Sequence, residues 1–187
     1  MLETYAALFR AVNLAGRNKL SMADLRRLLT DVGVTDARTL LQSGNAVFRS
    51  ASRSPGELER LLETEAEKRL GLRTDVFVRD GAELDAVIKG NPFADEARRD
   101  PGHLVVLFLK RAPAASNVKA LQAAIKDREI VRAHGRHAYI VYPDGIGRSR
   151  LTGALIGKYI EGPGTSRNWN TVLKLATNVG GGASPKR

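Results

Sequence analysis

Two short stretches of the chain carry the polar residues that could do chemistry. LFRAVNLAGRNK spans residues 8–19, and TSRNWNTVLKL spans residues 165–175. Both place arginine and asparagine side chains where a hydrophobic core does not need them. Guanidinium groups bind carboxylates and phosphates, and neutral amides add hydrogen-bonding selectivity. We therefore expect the two stretches to be the two halves of one site for an anion.

The first half combines a loop after the first predicted strand with the turn between the next two strands. Its candidate ligand-binding residues are Arg10, Asn13, Lys19, Gln42, Ser43 and Asn45. In a split β-α-β unit both segments lie at the same edge of the sheet. The loop also leads into a helix N-terminus, whose free N–H groups attract anions. The alternative is that the asparagines only bond their own turns.

The second half contains Arg167, Asn168 and Asn170, placed at the start of a helix predicted over residues 167–178. A cation at a helix N-terminus opposes the helix dipole by up to about 1 kcal/mol. Arg167 is therefore expected to meet an anion rather than to stabilise its own helix. The alternative is an ion pair with an acidic residue elsewhere in the fold.

A second predicted hairpin carries Arg132, His134, Arg136 and His137, at the edge where Lys110 and Arg111 emerge. Two histidines that flank a glycine turn, without a third ligand nearby, do not indicate a metal centre. We expect an ordinary polar turn and no metal, although its charge could extend an anion-binding edge.

The sequence contains no recognisable catalytic signature and predicts no cofactor. Ser43 in QSGNA does not match the G-x-S-x-G nucleophile elbow. GRNK lacks the glycine spacing of a phosphate-binding P-loop. With no cysteine, thiolate nucleophiles, iron–sulfur clusters and cysteine-based zinc sites are excluded. The identity of any catalytic residue is therefore unknown.

Composition indicates a basic globular protein. The 187 residues include 30 Lys and Arg against 20 Asp and Glu, a formal net charge of +10. Such a surface attracts nucleic acids and phosphate-bearing small molecules, but it also describes an ordinary solvated surface. No export segment or membrane-spanning run is recognised, so we expect a cytoplasmic protein with no membrane partner. The sequence does not indicate the oligomeric state.

Helix caps and hydrophobic periodicity predict an α+β fold. Ser21 and Ser54 are expected to cap two helices, in the order β-α-β-β-α-β over residues 1–79. A linking helix and loop follow over 80–102, and then a second unit, β-α-β-β-α with a final helix, over 103–178. Its closing strand is not recognised, and 179–187 is expected to be a disordered tail. The fold class is thus two ferredoxin-like half-units with antiparallel sheets plus additional C-terminal helices.

Three aromatic residues bear on RNA binding. Tyr5, Phe9 and Phe48 lie on the two central strands of the first predicted sheet, where RNA-recognition sheets stack bases. The basic aromatic motif that normally accompanies such stacking is absent. We therefore expect these rings to be buried in the core.

Motifs along almost the whole chain resemble the bacterial domain-of-unknown-function family numbered 1697. They are YAALFRAVNLAGRNKLSMADLRRLL, RTLLQSGNAVF, NPF, HLVVLFL, SRLTGALI and TSRNWNTVLKL. The resemblance implies an α+β protein with ferredoxin-like parts and no established activity. Ala11 and Ala15 depart from the glycines of the usual motif, and Gly153 replaces an expected asparagine.

These observations favour a binding module for an anionic ligand that carries phosphate or carboxylate, with nucleotides and RNA included. One alternative is an enzyme that acts on a small anionic substrate by electrostatic positioning. Another is a non-specific nucleic-acid-binding protein that uses the whole basic surface.

Overall fold

A computed structural model describes residues 1–10, 21–40, 44–51 and 53–180 of the chain. The strands are β1 (Leu2–Phe9), β2 (Thr35–Leu40), β3 (Asn45–Ala51), β4 (Val76–Asp80), β5 (Leu104–Leu109), β6 (Ile130–His134), β7 (His137–Val141) and β8 (Gly164–Asn168). The helices are α1 (Met22–Asp31), α2 (Pro55–Leu70), α3 (Gly81–Lys89), α4 (Ala94–Arg99), α5 (Ala115–Ala124), α6 (Gly153–Tyr159) and α7 (Trp169–Gly180). A 3-10 turn spans Ile146–Arg148.

The strands form two four-stranded antiparallel sheets with the same topology. Their strand orders are β2-β3-β1-β4 and β6-β7-β5-β8. Within each set of four this is the order 2-3-1-4 that a β-α-β-β-α-β chain gives in a ferredoxin-like fold. The predicted fold class is therefore confirmed.

The chain divides into two compact units. The first comprises Met1–Asp85 and the chain from Lys174 onward, and the second comprises Ala86–Leu173. The divisions fall inside α3 and inside α7, so neither helix belongs to one unit alone. The domain limits expected from the sequence, at residues 79 and 102, stay a prediction. The expected disordered tail lies outside the described residues, apart from Val179 and Gly180.

The helices of the first unit begin where their capping residues predict. Ser21 accepts a hydrogen bond from the Asp24 N–H, and Ser54 and Glu57 form a reciprocal capping box at the start of α2. Pro55 occupies the first turn, and Gly71 ends the helix with a positive φ of 62°. These capping signals act within a few residues of each helix end.

Each sheet packs one apolar face against its own helices. In the first unit this core includes Phe9, Leu25, Phe48 and Leu62, all at most 1% exposed. In the second unit the corresponding core lies between the sheet and α5 and α6 and includes Leu121. The predicted burial of Tyr5, Phe9 and Phe48 is confirmed, and these rings are not available to stack on bases.

The second unit contains a closing strand that sequence reasoning missed. β8 pairs with β5, and Arg167 lies opposite Val106 on it. Gly164 is the first residue of the strand, and a Cβ at this position would lie only 2.8 Å from Leu107 Cδ1. The segment GTSRN lacks apolar alternation and is held mainly by backbone pairing, which leaves little pattern in the sequence. Helix α4 was missed as well, since its residues ADEARR bury none of their side chains.

The capping box makes a testable contribution to stability. Ser54→Ala removes the acceptor for the Glu57 N–H and should lower the free energy of unfolding by about 1 kcal/mol. Urea denaturation measures the change. Ser116→Ala in α5 is the matched control, because that exposed serine caps no helix. An equal effect of the two substitutions would contradict the capping role.

Candidate functional site

The first half of the predicted anion site is described only at Arg10 and Asn45. Arg10 follows β1, and its Nη1 lies 2.9 Å from Asp75 Oδ2 at the protein surface. Asn45 begins β3 opposite Leu8 and is fully buried. Asn13, Lys19, Gln42 and Ser43 lie outside the described residues. Their part in a common site stays a prediction.

The second half differs in secondary structure from the prediction. Arg167 is a residue of β8 and not of the first helical turn, so the helix dipole does not act on it as expected. Its Nη1 donates to Thr165 Oγ1 and to the Ser166 carbonyl, each at 2.8 Å. Burial lowers the pKa of the Arg167 guanidinium to about 10, which leaves it charged at neutral pH.

The two asparagines of this half have different environments. Asn168 precedes α7, and its Oδ1 accepts a hydrogen bond from the Thr171 N–H at 2.9 Å, as a helix cap does. Asn170 is exposed in the first turn of α7. Arg10 and Asn45 belong to the first compact unit and these residues to the second. A single site that joins both halves therefore stays a prediction.

A groove in the second unit offers a different candidate site, with a cavity volume of about 630 Å³. It lies between α5 and β6, and we call it the α5–β6 groove. Its lining residues are Ala112, Pro113, Ala115, Val118, Lys119, Gln122, Ala123, Val131, Arg132, Ala133 and Gly135. Most of them are apolar or glycine, so the groove presents a mainly hydrophobic wall.

Edge strand β6 forms one side of the groove, because within the described residues its outer backbone groups face no neighbouring strand. Gln122 reaches across from α5, and its Oε1 accepts the Val131 N–H at 2.7 Å. Its Nε2 donates to the Glu129 carbonyl at 3.2 Å. Arg132 Nη1 donates to the Val131 carbonyl at 2.8 Å. These bonds satisfy the strand edge at residue 131 and fix the position of both side chains.

The electrostatics of the groove favour anions. Lys119 and Arg132 line it, and none of the described acidic residues does. The exposed Lys119 has no ion-pair or hydrogen-bond partner in the part of the chain that the structure describes. An apolar wall with unneutralised cations suits a ligand that has an apolar body and an acidic group.

Only part of this groove is predictable from the sequence. The predicted β6–β7 hairpin is present, and Gly135 forms its turn with a positive φ of 56°. Arg132 was singled out there as a residue that could extend an anion-binding edge. Val118, Lys119 and Gln122 were not, because a helix of ordinary composition gives no chemical motif. A lone glutamine within the apolar run ALQAAI was the available signal.

Two further observations on the described residues concern metal ions and membranes. Among them no three His, Asp or Glu side chains are grouped closely enough to hold a metal ion. None of the helices in the described ranges has both the length and the apolar character needed to cross a bilayer.

Two comparisons with known proteins give matches. The model of a family described as "Protein of unknown function (DUF1697)" matches residues 2–139. The chain is also similar in structure to a conserved bacterial protein from Streptococcus pneumoniae, with a TM-score of 0.70 and 22% sequence identity. The match covers 96% of this chain and 99% of that one. Among curated proteins there is no match.

The role of Gln122 at the strand edge can be tested directly. Gln122→Ala leaves the Val131 N–H without its acceptor and should lower the free energy of unfolding by about 1–2 kcal/mol. Gln122→Glu keeps an acceptor oxygen and should lose less. Urea denaturation and hydrogen exchange of the Val131 amide provide the two measurements. Unchanged exchange in Gln122→Ala would show that the bond contributes nothing.

Proposed function

The chain belongs to the family described as "Protein of unknown function (DUF1697)", and for it we propose a function as a binding module for a small anionic ligand. The ligand carries a carboxylate or phosphate on an apolar body and occupies the α5–β6 groove. One observation carries the proposal: Lys119 and Arg132 stand beside a mainly apolar cavity of about 630 Å³ without an acidic residue among its described lining.

The size and composition of the groove support a small ligand. Its volume lies within the range of roughly 300–1,000 Å³ that is typical of small-molecule sites. Pro113, Val118 and Ala123 provide apolar contact, whereas the two cations provide charge. Charge-assisted hydrogen bonds to an acidic group are stronger than neutral ones and fix its orientation.

Binding of RNA by base stacking is less well supported. The aromatic rings that such a sheet would use, those of Tyr5, Phe9 and Phe48, are at most 2% exposed. Base–aromatic stacking needs an accessible ring face. The groove itself is lined by no aromatic residue of the described ranges. This contrast favours a small anion over a single-stranded nucleic acid.

The proposal can be tested with 8-anilinonaphthalene-1-sulfonate, an aromatic anion that fluoresces when it enters an apolar site. Lys119→Ala should weaken its binding about fivefold, in line with the loss of roughly 1 kcal/mol from one partly exposed charge contact. Ala123→Phe should weaken binding further, because a ring on that exposed helix position narrows the groove. Fluorescence titration gives both affinities.

Lys158→Ala is the matched control, since this exposed lysine of α6 does not line the groove. It should leave the affinity unchanged. Thermal unfolding checks that each variant keeps its stability. If Lys119→Ala and Ala123→Phe bind the probe as the unchanged protein does, the groove is not the site.

A further inference from the structure

Glu129 is a buried carboxylate that the protein satisfies only in part. It precedes β6 and is 6% exposed. Its Oε1 accepts a hydrogen bond from the Ser149 hydroxyl, while its Oε2 has no donor among the described residues. A buried carboxylate oxygen without a donor costs free energy that a folded protein normally avoids. The described residues thus leave one buried acceptor open.

Glu129 lines a cavity of about 550 Å³ that is separate from the α5–β6 groove. The other lining residues are Lys126, Asp127, Arg128, Asp144, Arg148, Ser149 and Arg150. We call it the Glu129 cavity. Seven of its eight lining residues are charged, so a ligand there meets charges rather than an apolar wall.

Four of these charges neutralise one another in two ion pairs. Arg128 uses Nε and Nη2 to bind both carboxylate oxygens of Asp144, with the Nε contact at 3.2 Å. Arg150 binds Asp127 in the same way, with its Nε contact at 2.8 Å. The hydrogen bond from Arg150 holds the pKa of Asp127 below its ordinary value, so that carboxylate stays charged. These pairs have little capacity left for a ligand.

Two cations of the cavity are not neutralised. Lys126 and Arg148 are exposed, and neither has an ion-pair or hydrogen-bond partner within the described ranges of the chain. The cavity thus has two free cations at its surface and, beside them, a buried carboxylate with one unmet oxygen. A simple anion would bind the cations and leave Glu129 unsatisfied. A simple amine would bind Glu129 but would meet the positive charge of Lys126 and Arg148.

We propose that the Glu129 cavity binds a free small zwitterion, one molecule that carries both an ammonium group and a carboxylate or phosphate group. Its ammonium group binds the Glu129 carboxylate, and its acidic group binds Arg148 and Lys126. Because the unmet oxygen is itself buried, binding requires the Glu129 carboxylate to move toward the cavity that the residue lines. At roughly 30 Å³ per water molecule, a cavity of about 550 Å³ holds an amino-acid-sized ligand with several waters.

A matched set of three probes tests the inference on the unchanged protein. 3-Aminopropylphosphonate has both groups, propylphosphonate lacks the ammonium group, and propylamine lacks the acidic group. Isothermal titration calorimetry should show that 3-aminopropylphosphonate binds at least about tenfold more tightly than either partial probe. Equal binding of 3-aminopropylphosphonate and propylphosphonate would overturn the inference, as would no binding of any probe at millimolar concentration.

Substitutions assign the two groups to their partners. Glu129→Gln should weaken binding of 3-aminopropylphosphonate and abolish its preference over propylphosphonate. Arg148→Ala, at an exposed position, should weaken both. Glu161→Gln is the control, because this exposed glutamate of the same unit does not line the cavity. A Glu129→Gln protein that keeps the preference for the ammonium-bearing probe would contradict the assignment.

Two controls distinguish the Glu129 cavity from the α5–β6 groove and from a lipid-binding surface. Binding of 8-anilinonaphthalene-1-sulfonate should be unchanged in Glu129→Gln and Arg148→Ala, which shows that both variants fold and that the α5–β6 groove is independent. Phosphatidylethanolamine vesicles carry the same pair of charges on a lipid. Tighter binding to these vesicles than to 3-aminopropylphosphonate would replace the free zwitterion with a lipid surface and overturn the inference.

Discussion

Backbone N–H and C=O groups at the edge of a sheet need hydrogen-bond partners, and this requirement constrains both units. Three edge strands meet it in the same way, with an arginine that donates Nη1 to the carbonyl of the residue before it. The bonds run from Arg79 to Val78 at 2.7 Å, from Arg132 to Val131 at 2.8 Å and from Arg167 to Ser166 at 2.8 Å. In β4 and β6 a helix side chain also accepts the N–H of the same residue. These bonds satisfy groups that would otherwise pair with another chain.

The edge of β4 shows how closely this constraint is tied to the core. Glu59 of α2 accepts the Val78 N–H at 2.9 Å and also pairs with Arg79 at 3.2 Å. Arg79 is fully buried and Glu59 is 6% exposed. A buried pair of this kind gives little net stability, but the loss of either partner leaves an uncompensated buried charge. The pair therefore fixes the position of α2 against its strand. Part of the arginine content of the chain is thus structural rather than a surplus for ligands.

The sequence predicted the elements that have strong local signals. Ser21, Ser54 and Gly71 mark helix ends through hydrogen bonds or backbone angles that act within a few residues. Strand β8 has no such signal, because pairing with β5 and the close fit of Gly164 against Leu107 hold it in place. Both are long-range effects that a single sequence does not display. Because β8 was not recognised, Arg167 was assigned to a helix start, where a helix dipole would act on it. Its position on a strand removes that interaction.

The candidate sites were harder to predict than the fold, because a site depends on what remains unsatisfied after folding. Arg10 and Arg167 are prominent in the sequence, yet one pairs with Asp75 and the other bonds its own strand. Lys126 and Arg148 stand in no motif, yet they line a cavity without an acidic partner in the described part of the chain. Residue type alone does not distinguish a cation that the fold has already bonded from one that is free to bind a ligand. That distinction depends on which Asp and Glu side chains the fold brings close to it.

The α5–β6 groove combines edge protection with ligand access. Both amide atoms of Gln122 form hydrogen bonds with backbone groups at and before β6. The side chain therefore orients the groove wall but has little hydrogen-bonding capacity left for a ligand. Arg132 Nη1 donates hydrogen bonds to the Val131 carbonyl and to Gln122 Oε1, the second at 3.4 Å. A guanidinium has five N–H donors, so others remain for an anion while these bonds hold the side chain still. An arginine fixed in this way loses less conformational entropy when a ligand binds than a free surface arginine would. The requirement to close a strand edge thus also preorganises one of the two cations of the groove.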